Sequence, residues 1–514
     1  MGTPLDRARQ TAHLDMQRDG VILSESQKQC IVQSTEELRA EIARIDEMRL
    51  ELLAQIDINN SLLAPVSKLP NEIMSFIFDL ALADVRVRDK NFGEPSLARV
   101  CRVWRTVALS TPQLWTEVNI PTDLEPPSKK VISTYMARSG QLPLHIFVDA
   151  YMWQCLEIDE DEWKTAARVL RYVAQLSAHR WKRLDITGDF LVYARQDQLE
   201  LPLLEKVSIA PISWLEHEEE DADKPQLPLD FLAKAPNVRD VTLEAAYPNV
   251  RLPWQDIPRM SFNIRMADDE ELGRVVNTMS RHSAKLETLS VLHGRHYPFA
   301  FPPSVSTDTQ ITAPKLVDAT FSGLGYMALA PLEAPKLASI TMRDMGQERM
   351  RPGPFTTLHN VAQRTNLAQT LRRLSLEGIV WLGSLGAVRQ CLGALVHLEE
   401  LHVAVSKSGQ VSKKFMENAN DLLCYRFLDW LTRADDPLPS EPLPNLTSLS
   451  LRFGYPCDDD LEERLTDLVE SRENAIIIEG VTHKALARFT TDQDFNFHIP
   501  APGNLSIVTR YTAL

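Results

Sequence analysis

The side chains able to hold a metal come in two clusters: His293 and His296 in HGRH, and the carboxylates of Asp458-Asp459-Asp460-Leu461-Glu462-Glu463. An imidazole pair holds zinc when further ligands follow at short range, and none does here. The acidic run lacks the spaced oxygens and turn glycine of a calcium loop; acids massed where a helix begins, favoured by its dipole, account for it better. Gly323-Leu-Gly325 and Gly383-x-x-Gly386 read as turns, since no phosphate loop of the Gly-x-Gly-x-x-Gly or Gly-x-x-x-x-Gly-Lys kind occurs. No Gly-x-Ser-x-Gly supplies an activated serine. Cys30, Cys101, Cys155, Cys391, Cys424 and Cys457 are scattered and read as reduced, buried thiols, with Cys101 on the packed face of a helix. The expectation is a chain that is not an enzyme: no catalytic residue, no metal, no cofactor.

Binding is then what the elements must serve, and composition narrows the partners. Hydrophobic residues make up 44% and charged residues 24%, the proportions of ordinary folded chains. At 514 residues the length exceeds one compact core and suggests about three units or one elongated array. Fifty-five Lys and Arg against 70 Asp and Glu leave a net charge of −15, which opposes binding to nucleic acid. No apolar run approaches the ~18 residues of a membrane span, and the first residues resemble neither a signal peptide nor a myristoylation site. A soluble protein of cytoplasm or nucleus is expected, so the sequons at Asn59, Asn445 and Asn504 count as chance matches.

Residues 1–23 are polar and unpatterned, and disorder is expected there. Ser24-x-x-Gln27 has the form of a capping box, and it opens a long helix over 24–62 that Asn59-Asn60-Ser61 and Pro65 should end. Ile31, Leu38, Ile42, Ile45, Leu52 and Ile56 make a near-heptad stripe with Thr35 and Arg49 among its core positions. A coiled coil and a helix lying along its own protein both fit. Next, LPNEIMSFIFDLAL places Ile73, Met74, Ile77, Phe78 and Leu82 on one helical face after Leu69-Pro70. In SLARVCRVWRTVALS, Ser96 offers an N-cap and Leu97, Val100, Val103, Trp104 and Val107 make the buried stripe, which Pro112 ends.

The order Leu-Pro-x-Glu-Ile, Ile-Phe, Val-Cys-x-x-Trp-Arg, Pro-x-Leu-Trp within one short segment resembles the F-box. The match is carried by Leu69, Pro70, Glu72, Ile73, Ile77, Phe78, Leu97, Val100, Cys101, Trp104, Arg105, Leu114 and Trp115. Where the family has a second Leu-Pro turn and a compact leucine-rich helix, this chain has the polar Asp84 to Glu94, as do the divergent F-box-like sequences abundant in mushroom-forming fungi. The resemblance implies a small helical module over 66–120 that docks on the adaptor subunit of an SCF-type ubiquitin ligase, and through it on a cullin. The docking residues it implies are Leu69, Pro70, Ile73, Ile77, Phe78, Leu97, Val100, Cys101, Trp104, Leu114 and Trp115.

After a linker and helix over 121–141, Leu142 to Val148 reads as a strand and Trp163 to Ala178 as an amphipathic helix with Ala167, Leu170, Val173, Ala174 and Ser177 inward. From Trp181 a unit recurs: apolar, two polar or small, apolar, any, apolar. Nine copies begin at Trp181, Leu204, Val238, Leu286, Leu316, Leu337, Leu371, Leu398 and Leu446, their starts 21 to 48 residues apart. One such strand cannot bury its apolar side alone, so neighbours must stack in parallel. The fold class expected is α/β: a long helix and a small all-α F-box-like module, then an irregular leucine-rich-repeat-like solenoid over 142–480, with AIIIEGV from Asn474 as its last strand and a loosely attached tail over 481–514. Asp185, Ser208, Thr242, Ser290, Thr320, Thr341, Ser375, His402 and Ser450 should line the concave face, where an unidentified protein substrate would bind. Insertions at Glu216 to Gln226, at Tyr297, Phe299 and Phe301, and at Arg343 to Pro354 offer further contact surface. A scaffold whose F-box-like helices merely cap the solenoid is the alternative.

Overall fold

All nine recurring segments become strands of one parallel sheet. The computed structural model describes the chain except residues 1–2, 84–95, 122–127, 150–159, 188–198, 211–226, 230–231, 245–249, 265–268, 294–309, 345–352, 379–384, 405–424, 434–441, 454–458, 493–505 and 509–514. The three insertions, the 84–94 segment, His296, Asp458, Cys155, Cys424 and Cys457 fall wholly or largely outside the described residues. The chain divides into two compact units, one holding the N-terminal helices through Thr111 and one running from Pro112 to Leu514.

In the larger unit the sheet has fourteen strands among the described residues, paired in chain order. They are β1 Glu117–Pro121, β2 Leu144–Asp149, β3 Trp181–Thr187, β4 Lys206–Ala210, β5 Asp240–Glu244, β6 Arg259–Ile264, β7 Thr288–His293, β8 Asp318–Ser322, β9 Ser339–Arg343, β10 Arg373–Glu377, β11 Glu400–Ala404, β12 Ser448–Arg452, β13 Arg488–Thr491 and β14 Ser506–Val508. Each pairing is parallel, and apart from a register shift between Leu144 and His145 on β2 the register is kept, so apolar residues stack in rows: Leu374 on Leu401 on Leu449, and Leu376 on Val403 on Leu451. Parallel strands need crossovers, supplied on one side of the sheet by helices such as Pro354–Arg364, Leu385–Ala394 and Asp459–Ser471. Their buried faces (Val388 and Leu392, Leu465 and Leu468) complete one core with the strands.

The repeat is also legible in the backbone. The first residue of a copy donates its N–H three residues back, as from Leu286 to Ser283 and from Leu446 to Leu443. The second and third then share one carbonyl of the preceding copy: Glu399 and Glu400 on Arg372, Thr447 and Ser448 on Glu399, Ala338 and Ser339 on Val317. Asn237 and Asn445, in APNV and LPNL, add side-chain bonds to the previous turn at Pro202 O (2.7 Å) and Val396 O (2.9 Å). This is stacking of like on like, which is what stabilises a solenoid.

Several boundaries differ from expectation. β6 is a further copy, Ile257-Pro-Arg-Met260-Ser-Phe262, and β13 another, Leu486-Ala-Arg-Phe489, whose Ala487 and Arg488 N–H groups share Thr447 O. The array therefore continues past 480, because Phe489, Thr490 and Thr491 are buried in it. AIIIEGV is not its last strand: Ile476–Ile478 and Val481–His483 form a separate antiparallel hairpin. Glu479 and Gly480, at φ 48° and 84°, make the left-handed two-residue turn that matches strand twist.

Gly323-Leu-Gly325 is a turn, as its sequence suggests, within the 3-10 segment Gly323–Leu329. A Cβ on Gly325 would lie 2.2 Å from the Val291 carbonyl oxygen of β7, so only glycine allows that approach. Gly325→Ala should destabilise the array by about 1–3 kcal/mol in a denaturant titration. Unchanged stability would mean that the turn does not press on β7.

In the smaller unit, α1 Pro4–Thr11 and α2 Leu14–Arg18 replace the expected disorder; Thr3 and Asp6 form a reciprocal capping box on α1. α3 spans Glu25–Leu63, capped by Ser24 and Gln27 as its sequence implies, and it passes through Asn59-Asn60-Ser61 without ending. α4 is Asn71–Ala83 and α5 is Arg102–Ser110.

Candidate protein-binding surfaces

The short 3-10 turn Pro65–Lys68 leads into α4, and Pro70 lends its carbonyl to the N–H of Met74 (3.0 Å). Met74 and Phe78, four residues apart, face inward, and the Phe78 ring packs against Trp104 with centroids 4.9 Å apart. Beside them the Ser75 and Thr111 hydroxyls meet at 3.0 Å. The other side of α4 is also apolar. Ile73, Phe76, Ile77 and Leu80, at i, i+3, i+4 and i+7, are 47%, 63%, 40% and 58% exposed. The sequence pattern put Ile73, Met74, Ile77 and Phe78 on one buried face; the structure parts them, Met74 and Phe78 in, Ile73 and Ile77 out. The side chain of Leu82 lies outside the described residues. A helix apolar on both sides has more greasy surface than its own unit covers, and an exposed apolar stripe of this kind marks an interaction site.

The second half of the motif is not one helix. Ser96–Arg99 is a 3-10 turn, the chain is extended at Cys101, and α5 begins at Arg102. The break changes which side chains point inward: Ala98, Val107 and Ala108 are buried and Leu97 and Trp104 half-buried, whereas Val100 and Val103 stand in solvent. Cys101 is likewise exposed, capping α5 with its sulfur 3.4 Å from the Trp104 N–H, and Cys30 is exposed on α3. Only Cys391, of the cysteines described, is the buried thiol expected, and burial pushes its pKa up to about 12. Leu69 is half-buried and Pro70 exposed. Leu114 and Trp115 belong to the larger unit, where Trp115 is buried edge-on against Tyr135 (5.0 Å) with the Arg138 guanidinium 4.4 Å over its ring.

The face of the sheet away from the helices carries every residue expected there, from Asp185 to Ser450, and each is half-buried. Register aligns them into a row: Phe147 beside Asp185, then Ser208, Thr242, Ser261, Ser290, Thr320, Thr341, Ser375, His402, Ser450 and Thr490. Small hydroxyls fill the middle of the row, and charged pairs flank it along the face, Lys206 with Asp240 (2.9 Å) among them. At β1–β3, His145 Nε2 lies 2.8 Å from Asp185, Arg183 pairs with the same carboxylate (2.9 Å), and His145 packs on Phe147. At β9–β12, Arg343 donates to Glu377 (2.8 Å), Ser375 donates to Glu377 (3.0 Å), and His402 Nδ1 meets Ser450 at 2.8 Å. His145 and Phe147 precede the nine copies, but HIFVD alternates in the same way and brings them to this face.

Burial, aided by Arg452 and opposed by Glu377, holds the His402 imidazole below its ordinary value of 6.5; burial and Arg281 do the same for His282. Such a histidine binds its proton more readily when unfolded, so this stability is complete above the free value and drains as pH falls through it toward the folded value. Melting temperature should therefore decline between about pH 7 and pH 5, and less so in His282→Gln/His402→Gln. Equal slopes in both proteins would remove these histidines as the cause.

His293, half of the candidate metal pair, is buried at the end of β7, where its N–H donates to Ser322 Oγ (2.8 Å). Among the described residues no group of three metal-ligating side chains converges, and no helix is long and apolar enough to cross a membrane. No family model matches the chain, and no curated protein matches it. Among solved structures it is similar to one titled "Crystal structure of Rad7 and Elc1 complex in yeast", at 11% identity and a TM-score of 0.27, over 70% of this chain and 94% of that one.

Proposed function

We propose that the chain is a non-catalytic bridge: α4 docks on the adaptor subunit of an SCF-type ubiquitin ligase, and the repeat array captures a protein substrate. The observation that carries this reading is the exposed stripe Ile73, Phe76, Ile77 and Leu80, on the helix that follows Leu69-Pro70 and carries Ile77-Phe78, motifs that resemble an F-box. Buried aromatic and branched anchors dominate protein interfaces, and these side chains are placed to become such anchors. Substrate would lie across the row from Phe147 to Ser450, gripped by charged groups flanking it such as Arg183–Asp185, Lys206–Asp240 and Arg343–Glu377, since the serines and threonines of the row offer short hydrogen-bonding groups and little bulk.

A bridge of this kind performs no bond chemistry. It raises the effective concentration of a substrate lysine near the ligase's charged ubiquitin carrier. The test is co-purification of the full chain with the adaptor, comparing wild type with Phe76→Asp/Ile77→Asp. Recovery with wild type and loss with the variant is the expected result; equal recovery, or none from either, would leave α4 and α5 as a mere cap of the array.

A further inference from the structure

The N-terminal unit holds a second apolar surface, along α3. Its 39 residues make a rod about 58 Å long. α1 packs along its first half, where Ile31, Ser34, Glu37 and Leu38 are half-buried and Arg7 bonds Glu37 at 3.2 Å. From Ile42 to Leu63 every residue is exposed, including Ile45 at 53%, Leu52 at 60% and Leu63 at 76%. Among the described residues of its own unit nothing covers the helix there, which leaves the coiled coil of the two arrangements its sequence offered. A helix in water recovers little of its ordering entropy unless its apolar side is covered.

These exposed residues continue a heptad seam that begins in the half-buried stretch beside α1. Thr35, Ile42, Arg49, Ile56 and Leu63 recur every seven residues, and Ile31, Leu38, Ile45, Leu52 and Asn59 recur between them at alternating steps of three and four. A seam sustained over four heptads is shaped for another helix of the same period. We propose that α3 is a self-association helix, pairing antiparallel with α3 of a second copy of this chain in a two-stranded coiled coil.

Self-complementarity is what points to a second copy. In the antiparallel register that sets Leu63 against Ile31 of the other chain, Ile56 meets Leu38 and Leu52 meets Ile42, all apolar on apolar; the outer two layers form as α1, which half-covers Ile31 and Leu38, yields its place to the second α3. The polar core residues also meet each other, Asn59 against Thr35. Arg49 falls opposite Ile45 and next to Asp46, so the two arginines and two aspartates alternate at the centre. A parallel pairing would instead stack Arg49 on Arg49 and bring Glu41 toward Asp46, like charge on like. A seam from Ile31 to Leu63 is about 50 Å long, enough to reach the roughly 1,200–2,000 Å² that specific interfaces bury.

Sedimentation equilibrium of the full chain tests this. Wild type should reach twice the 58.2 kDa chain mass at micromolar concentration. Ile45→Glu/Leu52→Glu should sediment at the single-chain mass with unchanged melting of the array, because neither residue belongs to any core. Arg49→Leu should tighten the dimer by about tenfold, since its layer becomes apolar. Phe76→Asp/Ile77→Asp should dimerise as wild type does, which separates this inference from the docking role of α4. Wild type remaining a monomer at tens of micromolar, or Ile45→Glu/Leu52→Glu remaining a dimer, would overturn it. Orientation is read by oxidation in a Cys30→Ser/Cys101→Ser background. Leu52→Cys chains should link to Ile42→Cys chains and not to each other; a Leu52→Cys self-link would overturn the antiparallel pairing.

Discussion

Phe76→Asp/Ile77→Asp is expected to weaken capture of the ligase adaptor by about a hundredfold or more, with the melting curve of the chain unchanged. Two anchors of an interface each contribute about 1–2 kcal/mol or more when truncated, and every 1.4 kcal/mol is a factor of ten. A carboxylate buried in their place adds a desolvation cost to that loss. The stability half follows from exposure: both side chains face solvent in the free chain, so aspartate there costs only a few tenths of a kcal/mol in helix propensity. Titration of labelled adaptor with the two proteins gives the affinity ratio, and calorimetry gives the melting curves. A ratio near one with intact folding would sink the docking role of α4. A collapse of folding would show that the stripe is core after all.

Phe78→Ala carries the opposite signature. Phe78 is 1% exposed and packs on Trp104, so truncation leaves a cavity and should remove about 3–5 kcal/mol from the N-terminal helical unit. The array has its own core and should keep its stability. Trp104 fluorescence is not a clean probe in a chain with nine tryptophans, so amide exchange read over α4 and α5 is the better measurement. Protection there should fall while that of β7 to β12 stays. A loss under about 1 kcal/mol would mean that Phe78 does not pack as described. The pair of variants distinguishes residues two apart on one helix, the first acting on a partner and the second on the fold. For the same reason Ile77→Asp/Phe78→Asp would be a poor test of docking, since its second change breaks the helical unit first.

The array was legible in the sequence because its period is carried by side-chain type at short range. Each copy needs an apolar residue where the turn enters the strand and two more at alternate strand positions, and nine copies met that rule closely enough to be counted. The copies at Ile257 and Leu486 follow it in weaker form, with Met260 and Phe262 in one and Thr491 at the last apolar place in the other. The composition of the open face was equally readable, because alternation along a strand fixes which residues share a side.

What the period cannot carry is which of two apolar faces turns inward. α4 has an apolar face more than half its circumference wide, so spacing alone could not separate Met74 and Phe78 from Ile73 and Ile77; the position of Trp104, brought near by a fold-back of the chain, made the choice. In the same way Val100 and Val103 lie outward because the chain breaks at Cys101, and a stripe drawn through one continuous helix misplaces them. Side-chain identity and periodicity decided the repeats, the long helix and its cap from sequence alone. Burial is a property of neighbours distant along the chain, so only the tertiary structure decided which greasy surfaces α3 and α4 leave exposed.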